Sequence, residues 1–325
     1  MWRSVWLVLA GVLSITSFTG SAAAQQWPTK PITVVQGFPA GSGLDIVARV
    51  IQEPLEKALG QPIVFDYKVG AGGNNASAYV AKAPADGYTL LMGTAGTHGI
   101  NAALYKKLPF DVEADFTAIA PIVDVPNVLT VNPEALDAKD LKDFIAKVKA
   151  QPGKFNYGST GNGTSTHLGF AQLNAVAGLD MVHIPYKGSP EAIQNMIAKE
   201  ICCMVAQVQT ILGQWKAGKL RLLGVTTKER VGILADIPTI SEAGLPGFQS
   251  VTWYGLFGPK GLDPAIVEKV NAAVRATLEI PAIKEKMNSL GNALRSETVA
   301  QFRETVKRDR AMWAEVVKKS GASID

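Results

Sequence analysis

The chain has 325 residues, a hydrophobic fraction of 47% and a formal net charge of +4 at pH 7. Because this small positive excess is spread along the chain without a basic block, a nucleic-acid partner is not expected. The length exceeds the usual size of one domain and the apolar content is ample for large cores, so two domains are predicted.

The first 24 residues have the features of a secretory signal peptide. Arg3 gives a short positive start, Val5 to Leu13 is almost wholly apolar, and Ser21 to Ala24 supplies small residues typical of a cleavage site. The apolar run is too short to span a hydrocarbon core of roughly 30 Å, and no later run reaches about 18 apolar residues. No cysteine follows the small residues, so no lipid anchor is expected there. We therefore predict that residues 1–24 are removed and that the protein is periplasmic.

Beyond residue 24, short β-like runs alternate with stretches of helical period. The expected strands are, in chain order, Ile32–Val35, Ile63–Tyr67, Thr89–Met92, Ala118–Val123, Val128–Val131, Phe155–Tyr157, Met181–Ile184, Cys202–Ala206, Leu220–Thr226 and Trp253–Phe257. The expected helices are Asp45–Leu59, Ala76–Ala83, Asp140–Ala150, Thr166–Ala177 and Pro190–Ala198, with a helical C-terminal end over Pro264–Leu278 and Val299–Lys319. This alternation predicts an α/β fold with mainly parallel sheets flanked by helices.

A glycine turn, Gly41–Gly43, connects the first expected strand to the first expected helix. Such a turn presents free backbone N–H groups at a helix start, so the sequence favours an anion there. The spacing matches neither a dinucleotide fingerprint nor a P-loop, because no glycine stands at position 46 and no Gly-Lys-Ser/Thr follows. Gly70–Gly73 fails in the same way, with Asn75 in the third position. A nucleotide cofactor is not expected, and Asp45 is expected to cap the helix and hold the turn.

Two loops echo each other, one over residues 88–98 and one over residues 155–167. Each runs from an expected strand through Gly and Thr residues to a Thr-His pair before a helix, ending at His98 and at His167. Ligands in open α/β sheets bind beyond the carboxyl ends of the strands, so the loops are candidates to face each other across a cleft. Chance similarity of two glycine-rich turns is the competing interpretation. Tyr186, in a third turn, either closes the cleft or belongs to a turn shaped by Pro185 and Gly188.

Hydrolytic and metal chemistry find no support in the spacing of the reactive residues. There is no Gly-x-Ser-x-Gly elbow, and His98, His167 and His183 have no obvious nucleophile partner. The histidines lack close ligand spacing, and Cys202 and Cys203 are adjacent in an apolar run. No metal and no disulfide are therefore expected, and the two cysteines are predicted to be small buried residues.

Short sequence motifs of a known family occur in order along the whole chain after residue 24. They are Trp27–Ile32, Pro39–Arg49, Gly70–Gly73, Ala85–Leu91, Pro185–Gly188, Gly218–Arg221, Ile237–Thr239 with Glu242–Gly244, and Trp253–Leu256. Together they resemble the Bug-type periplasmic substrate-binding receptors of tripartite tricarboxylate transporters.

This resemblance implies a two-lobed periplasmic binding protein of the type II-like fold, joined by two crossing strands. One lobe is expected over residues 25–126 and 250–325, and the other over residues 127–249. It implies a monomer without catalytic residues that closes on a small carboxylate (a dicarboxylate, tricarboxylate, amino acid or aromatic acid) and delivers it to membrane permease subunits.

The resemblance also implies a binding site made by strand-to-helix loops of both lobes. The residues that match are Phe38, Gly41, Ser42, Gly43, Asp45, Thr94, Thr97 and His98 in the first lobe, and Ser159, Thr160, Thr164, Ser165, His167 and Tyr186 in the second.

Two departures from the family pattern concern the far end of the ligand. Ala206 stands where an Asp is usual, and the first turn reads Gly-Ser-Gly where Gly-Gly is common. Loss of an acid is compatible with a more negative or a more apolar ligand tail. Two other functions stay open on the sequence alone. One is a secreted α/β enzyme with His167 or Tyr186 as acid or base, and the other is an accessory of a membrane sensor kinase.

Overall fold

The computed structural model of the protein describes residues 27–320 and residue 324, so the predicted signal peptide lies outside the described residues. The strands are β1 (Ile32–Gln36), β2 (Ile63–Tyr67), β3 (Thr89–Thr94), β4 (Phe116–Val131), β5 (Asn156–Ser159), β6 (Val182–Pro185), β7 (Cys203–Gln207), β8 (Arg221–Val225), β9 (Val251–Pro259) and β10 (Ala293–Leu294). The helices are α1 (Gly43–Leu59), α2 (Asn74–Val80), α3 (Asn101–Leu104), α4 (Leu141–Lys149), α5 (Ser165–Ala177), α6 (Ser189–Ile197), α7 (Val208–Lys216), α8 (Pro264–Glu279), α9 (Pro281–Ser289) and α10 (Val299–Ser320). Short irregular helical turns occupy Ala71–Gly73, Gly96–Ile100 and Gly232–Leu234.

The strands form one connected sheet in the order β2-β1-β3-β9-β4-β7-β5-β6, with β8 and β10 also paired to β4. Strand β1 runs parallel to β2 and β3, and β5 runs parallel to β6 and β7. The antiparallel pairings all involve β4 or β9, in the middle of the sheet. The predicted α/β class is therefore confirmed.

Strand β4 connects the two ends of the sheet. Its first part pairs with β9 as far as Pro126, and from Asn127 onward it pairs with β7. The prediction of two separate strands, Ala118–Val123 and Val128–Val131, is wrong, because the chain continues as one strand with register shifts on either side of Pro121. Such bulges let a strand tolerate a residue that has no N–H to donate.

Helix α7 was not predicted. It starts at Val208, directly after the last residue of β7, and neither Gly nor Pro separates the two elements. The sequence therefore lacks the Gly or Pro residue that usually marks the boundary between a strand and a helix.

Apolar side chains pack into separate clusters at the two ends of the sheet. Two clusters take their buried residues from 32–125 and 253–306, and two others take theirs from 128–248. Leu168 and Trp313 meet in a small fifth cluster that draws on both segments. Cys202 and Cys203 are free thiols inside one of these cores, as predicted.

Thr226 links the two points where the chain passes from one group of clusters to the other. Its N–H donates to the Asn127 carbonyl at 2.9 Å, and its carbonyl accepts from the Ser250 N–H at 2.8 Å. Its hydroxyl lies within donating distance of the carbonyl oxygens of Asn127 and Ser250. Within residues 27–320 no helix has the length and apolar content needed to cross a membrane.

Candidate functional site

A small cavity lies where the ends of strands β1, β3, β5 and β7 meet the starts of helices. Its lining comes from both ends of the sheet and from the central strand β9. The residues are Phe38, Ser42, Gly43, Leu44, Thr94, Thr160, Thr164, Ser165, Ser189, Gln207, Thr252 and Tyr254. The structure thus brings together seven of the predicted site residues, namely Phe38, Ser42, Gly43, Thr94, Thr160, Thr164 and Ser165.

Four helices begin at the wall of this cavity. Helix α1 starts at Gly43, α5 at Ser165 and α6 at Ser189, and α7 starts immediately after Gln207. The first N–H groups of a helix have no intrahelical partner, and its N-terminus carries a partial positive charge. The four helix starts therefore make the cavity a favourable place for an anion.

Several hydroxyls in the lining are free to bind a ligand. The side chains of Ser165, Ser189 and Thr252 are at most 4% exposed, and they form no hydrogen bond with any other described residue. Buried hydroxyls usually find a partner, because a lost hydrogen bond costs about 1–3 kcal/mol. These three hydroxyls line the cavity without a protein partner, so they can donate to a ligand.

The cavity wall is uncharged. None of its lining residues is an acid, a base or a histidine. Within the described part of the chain, no cluster of three or more His, Cys, Asp or Glu residues is suited to a metal ion. The field of the helix starts is therefore not opposed by an acidic side chain in the wall.

Asp45 holds the first loop and lies outside the cavity lining. The prediction that Asp45 caps α1 is wrong, because Ser42 is the cap and its hydroxyl accepts from the Asp45 N–H. The Asp45 carboxylate accepts from the Gly41 N–H at 2.8 Å, from Arg49 Nε at 2.9 Å and from the Tyr67 hydroxyl at 2.6 Å. Burial alone would raise the pKa of Asp45, but these hydrogen bonds and the charge of Arg49 outweigh it and lower the pKa. Gly41, with a φ of 76°, is tied back by this carboxylate, so both residues shape the turn.

Thr97 and His98 also lie behind the cavity wall. The Thr97 hydroxyl accepts from the Thr94 N–H at 3.0 Å and pairs with His98 Nδ1 at 2.8 Å. The His98 ring is fully buried, stacks on Phe257 at 3.8 Å between centroids and meets Phe116 edge-on. Burial lowers the pKa of His98 to about 3, so the ring is neutral at pH 7.

We expect His98→Phe to flatten the pH dependence of stability. An unfolded chain takes up a proton on His98 below its ordinary pKa of 6.5, whereas the folded chain does not until about pH 3. The contribution of neutral His98 to the free energy of unfolding is therefore complete above pH 6.5. It falls by about 1.4 kcal/mol per pH unit as the pH drops below that value. Urea unfolding at pH 7, 6, 5 and 4.5 should show a slope lower by about that amount in the variant. Equal slopes would mean that His98 titrates normally in the fold.

Ser159, His167 and His183 form a structural group at the second loop. The Ser159 hydroxyl pairs with His183 Nε2 at 2.7 Å, and the His183 ring stacks on the His167 ring. His167 Nδ1 accepts from the Gly163 N–H at 3.3 Å. Burial lowers the pKa of His167 to about 4. Burial, with a smaller effect from the charge of neighbouring His167, lowers the pKa of His183 to about 3. The group supports the loop, and none of the three residues lines the cavity.

Thr160 and Thr164 are in the lining, but their hydroxyls are already engaged. Both pair with the Thr166 hydroxyl at 2.9 Å, and Thr164 also donates to the Gly161 carbonyl at 2.7 Å. Their main role in this arrangement is to fix the loop that precedes α5.

Tyr186 lies at the mouth of the cleft rather than in the cavity. It lines a groove together with Tyr105, Lys187, the Gly70–Gly73 segment and residues 160–162. Phe38 and Thr160 border the groove as well as the cavity, so the two spaces are adjacent.

Sequence reasoning missed Leu44, Gln207, Thr252 and Tyr254 as site residues. The turn before α6 did mark Ser189 as a possible donor, and Ser189 lines the cavity. Ala206, in the position that the family pattern assigns to an acid, is buried in an apolar cluster, and its neighbour Gln207 faces the cavity. Thr252 and Tyr254 lie in a strand whose neighbours cannot be read from the sequence.

The two sides of the cleft touch in this structure. A Cβ added to Gly72 would lie 2.1 Å from the Asn162 carbonyl oxygen, and the Tyr105 hydroxyl donates to that same oxygen at 3.3 Å. A Cβ on Gly188 would lie 2.7 Å from the Pro39 ring. Such approaches between loops from opposite sides show a closed arrangement around the cavity.

Comparison with known proteins identifies what this arrangement is similar to. The family model described as tripartite tricarboxylate transporter family receptor matches residues 47–322. A structure from R. palustris with adipate is 32% identical, covers 91% of this chain and 99% of its own, and has a TM-score of 0.89. MatC from Rhodopseudomonas palustris, with bound malate, is 33% identical, with coverages of 90% and 100% and a TM-score of 0.85. The periplasmic binding protein BugD is 31% identical, with coverages of 91% and 99% and a TM-score of 0.87.

Proposed function

The chain belongs to the tripartite tricarboxylate transporter receptor family and is a solute receptor rather than an enzyme; we propose that its ligand is a small carboxylate held in this cavity. One observation carries this proposal. Four helix starts and three unpaired hydroxyls converge on a space whose wall has no charged side chain. The related structures with adipate and malate support the same ligand chemistry.

The hydrogen bonds available in the cavity are sufficient for useful affinity. Each charge-assisted bond from a backbone N–H or a hydroxyl to a carboxylate contributes roughly 1.5–3 kcal/mol net. A micromolar dissociation constant corresponds to about 8 kcal/mol, which a few such bonds and the apolar contact with Phe38 and Leu44 can supply. No buried arginine is needed.

The receptor captures its ligand by closure of two lobes. One lobe consists of residues 25–126 and 250–325, and the other of residues 127–249. The separate apolar clusters and the two chain passages near Asn127 and Ser250 support this division. Closure removes water from the carboxylate and creates a surface that differs between the empty and loaded forms. Membrane permease subunits can select the loaded form by that surface. The signal-peptide features of residues 1–24 support export to the periplasm, where the receptor acts as a monomer.

We expect Ser165→Ala to weaken carboxylate binding by about 2 kcal/mol, or roughly thirtyfold, without loss of stability. The Ser165 hydroxyl makes no hydrogen bond to the described protein, so its removal costs the fold little. Malate and adipate are the first ligands to use in titration calorimetry, and thermal unfolding without ligand reports on the fold.

Ser296→Ala is the matched control, because Ser296 is exposed and lies outside the cavity. The control should bind like the unmodified protein. A Ser165→Ala variant with unchanged affinity for every acid that binds would remove Ser165 from the site. Failure of the unmodified protein to bind any small carboxylate would contradict the proposed function itself.

A further inference from the structure

Tyr254 carries a buried hydroxyl that the fold does not use. It lies in β9 opposite Thr94 of β3 and is 1% exposed. Its hydroxyl has no hydrogen-bond partner of acceptable geometry among the described residues, although its side chain lines the cavity. Burial raises the pKa of this phenol, and the opposing effect of the Gln207 side chain is smaller, so the pKa is raised overall. The group is therefore a neutral O–H donor at pH 7.

The surroundings of Tyr254 define the inner end of the cavity. Phe38 and Thr160 border the mouth groove, so the outer end is on their side. Tyr254 and Thr252 instead lie in the central strand β9, where they pair with Val123 and Val125 of β4. The inner end is thus built on β9, which lies next to β4, the strand that connects the two ends of the sheet.

The groups at this inner end are hydrogen-bonding but neutral. Gln207 offers an amide and Thr252 an unpaired hydroxyl, and α7 begins directly after Gln207. Gln207 also lies against the start of α1, since a Cβ on Gly43 would meet its side-chain oxygen. Donors and helix starts stabilise negative charge, whereas an ammonium group needs a carboxylate that this wall does not contain.

We propose that the Tyr254 hydroxyl donates a hydrogen bond to a second carboxylate of the ligand, which makes Tyr254 a specificity-determining residue for dicarboxylates. This inference rests on the proposed function, since it assumes that a first carboxylate is bound by the helix starts. Dicarboxylates then bind more tightly than monocarboxylates, which leave the Tyr254 hydroxyl unpaired. They also bind more tightly than α-amino acids, whose ammonium group meets helix N-termini without a counter-charge.

The test compares Tyr254→Phe with the unmodified protein on matched ligands. Succinate, glutarate and adipate are titrated beside butyrate, valerate and hexanoate, which have the same chain lengths and one carboxylate each. L-aspartate and L-glutamate add an ammonium group to two of the diacids. The variant should lose about 10- to 100-fold in affinity for the dicarboxylate that binds best and should keep its affinity for the matched monocarboxylate.

Tyr157→Phe is the matched control, because Tyr157 is also buried, at 4% exposure, but does not line the cavity. It should bind both ligand classes like the unmodified protein. Equal losses for both classes in Tyr254→Phe, or no loss at all, would overturn the inference and leave the proposed function standing. The inference would also be overturned, with the proposed function still standing, if the unmodified protein bound monocarboxylates or amino acids as tightly as dicarboxylates. An unmodified protein that binds none of these acids would instead overturn the proposed function.

Discussion

Gly72→Ala should lower the affinity for the carboxylate ligand by up to about a hundredfold. The added Cβ would lie 2.1 Å from the Asn162 carbonyl oxygen, a backbone atom of the facing loop that cannot swing away. Overpacking of this kind costs typically 1–3 kcal/mol, and 2.8 kcal/mol is about a hundredfold. The cost falls on the closed form, so less of the protein is competent to hold ligand. Titration calorimetry measures the affinity, and small-angle scattering measures the compaction that ligand causes.

Gly60→Ala is the control that distinguishes the effect of the steric clash at Gly72 from the effect of backbone strain. Gly60 has a φ of 77° and Gly72 a φ of 61°, so both glycines adopt the left-handed conformation that disfavours alanine. No atom approaches within 4 Å of a Cβ at Gly60. Both variants should lose stability to a similar degree, but only Gly72→Ala should lose affinity.

Gly188→Ala adds a clash without that strain. Its φ of 174° is ordinary extended backbone, and the added Cβ would meet the Pro39 ring from the facing side at 2.7 Å. This variant should also bind more weakly. Full affinity and full compaction in both Gly72→Ala and Gly188→Ala would contradict closure of these loops onto each other.

Asp45→Asn should reduce the free energy of unfolding by about 3 kcal/mol at pH 7 and weaken ligand binding as well. The carboxylate is 2% exposed and accepts hydrogen bonds from the Gly41 N–H and the Tyr67 hydroxyl, and each bond to a charged acceptor contributes about 1.5–3 kcal/mol. An amide accepts with one oxygen only and turns a donor toward other donors. The Gly41 turn then loses its anchor, and the start of α1 loses its position in the cavity wall. Urea unfolding and calorimetry measure the two effects.

Asp143→Asn is a close structural match at a half-buried site. Asp143 accepts from the Lys139 N–H four residues before it and pairs with Lys147 four residues after it, as Asp45 does with Gly41 and Arg49. The helix cap matches too, since the Asp140 side chain accepts from the Asp143 N–H. Because the Asp143 side chain is 29% exposed, against 2% for Asp45, its loss should destabilise far less and should leave binding unchanged.

The pH dependence gives a second check on Asp45. Its folded pKa is lowered below the usual value of 3.8, so its stabilising contribution is complete above that pH and is lost as the pH falls through the folded pKa. The stability difference between Asp45→Asn and the unmodified protein should therefore be constant from pH 7 to pH 5 and shrink below about pH 4. A difference that persists undiminished at pH 3 would show that charge is not the cause.

The sequence by itself determined the α/β class, most strand and helix positions, and the loops that build the outer part of the site. Helical period, strand runs and glycine turns are local properties, and Ser42 and Thr164 cap their helices where the sequence placed helix starts. The tertiary structure alone decided that Thr97 and His98 lie behind the cavity wall, and that Tyr254 and Gln207 face the cavity. The reason is physical: one wall is assembled from segments as distant as Phe38 and Tyr254, and their meeting depends on how β4 and β9 join the two ends of the sheet. No local pattern of residues encodes which side chains that long-range pairing brings together.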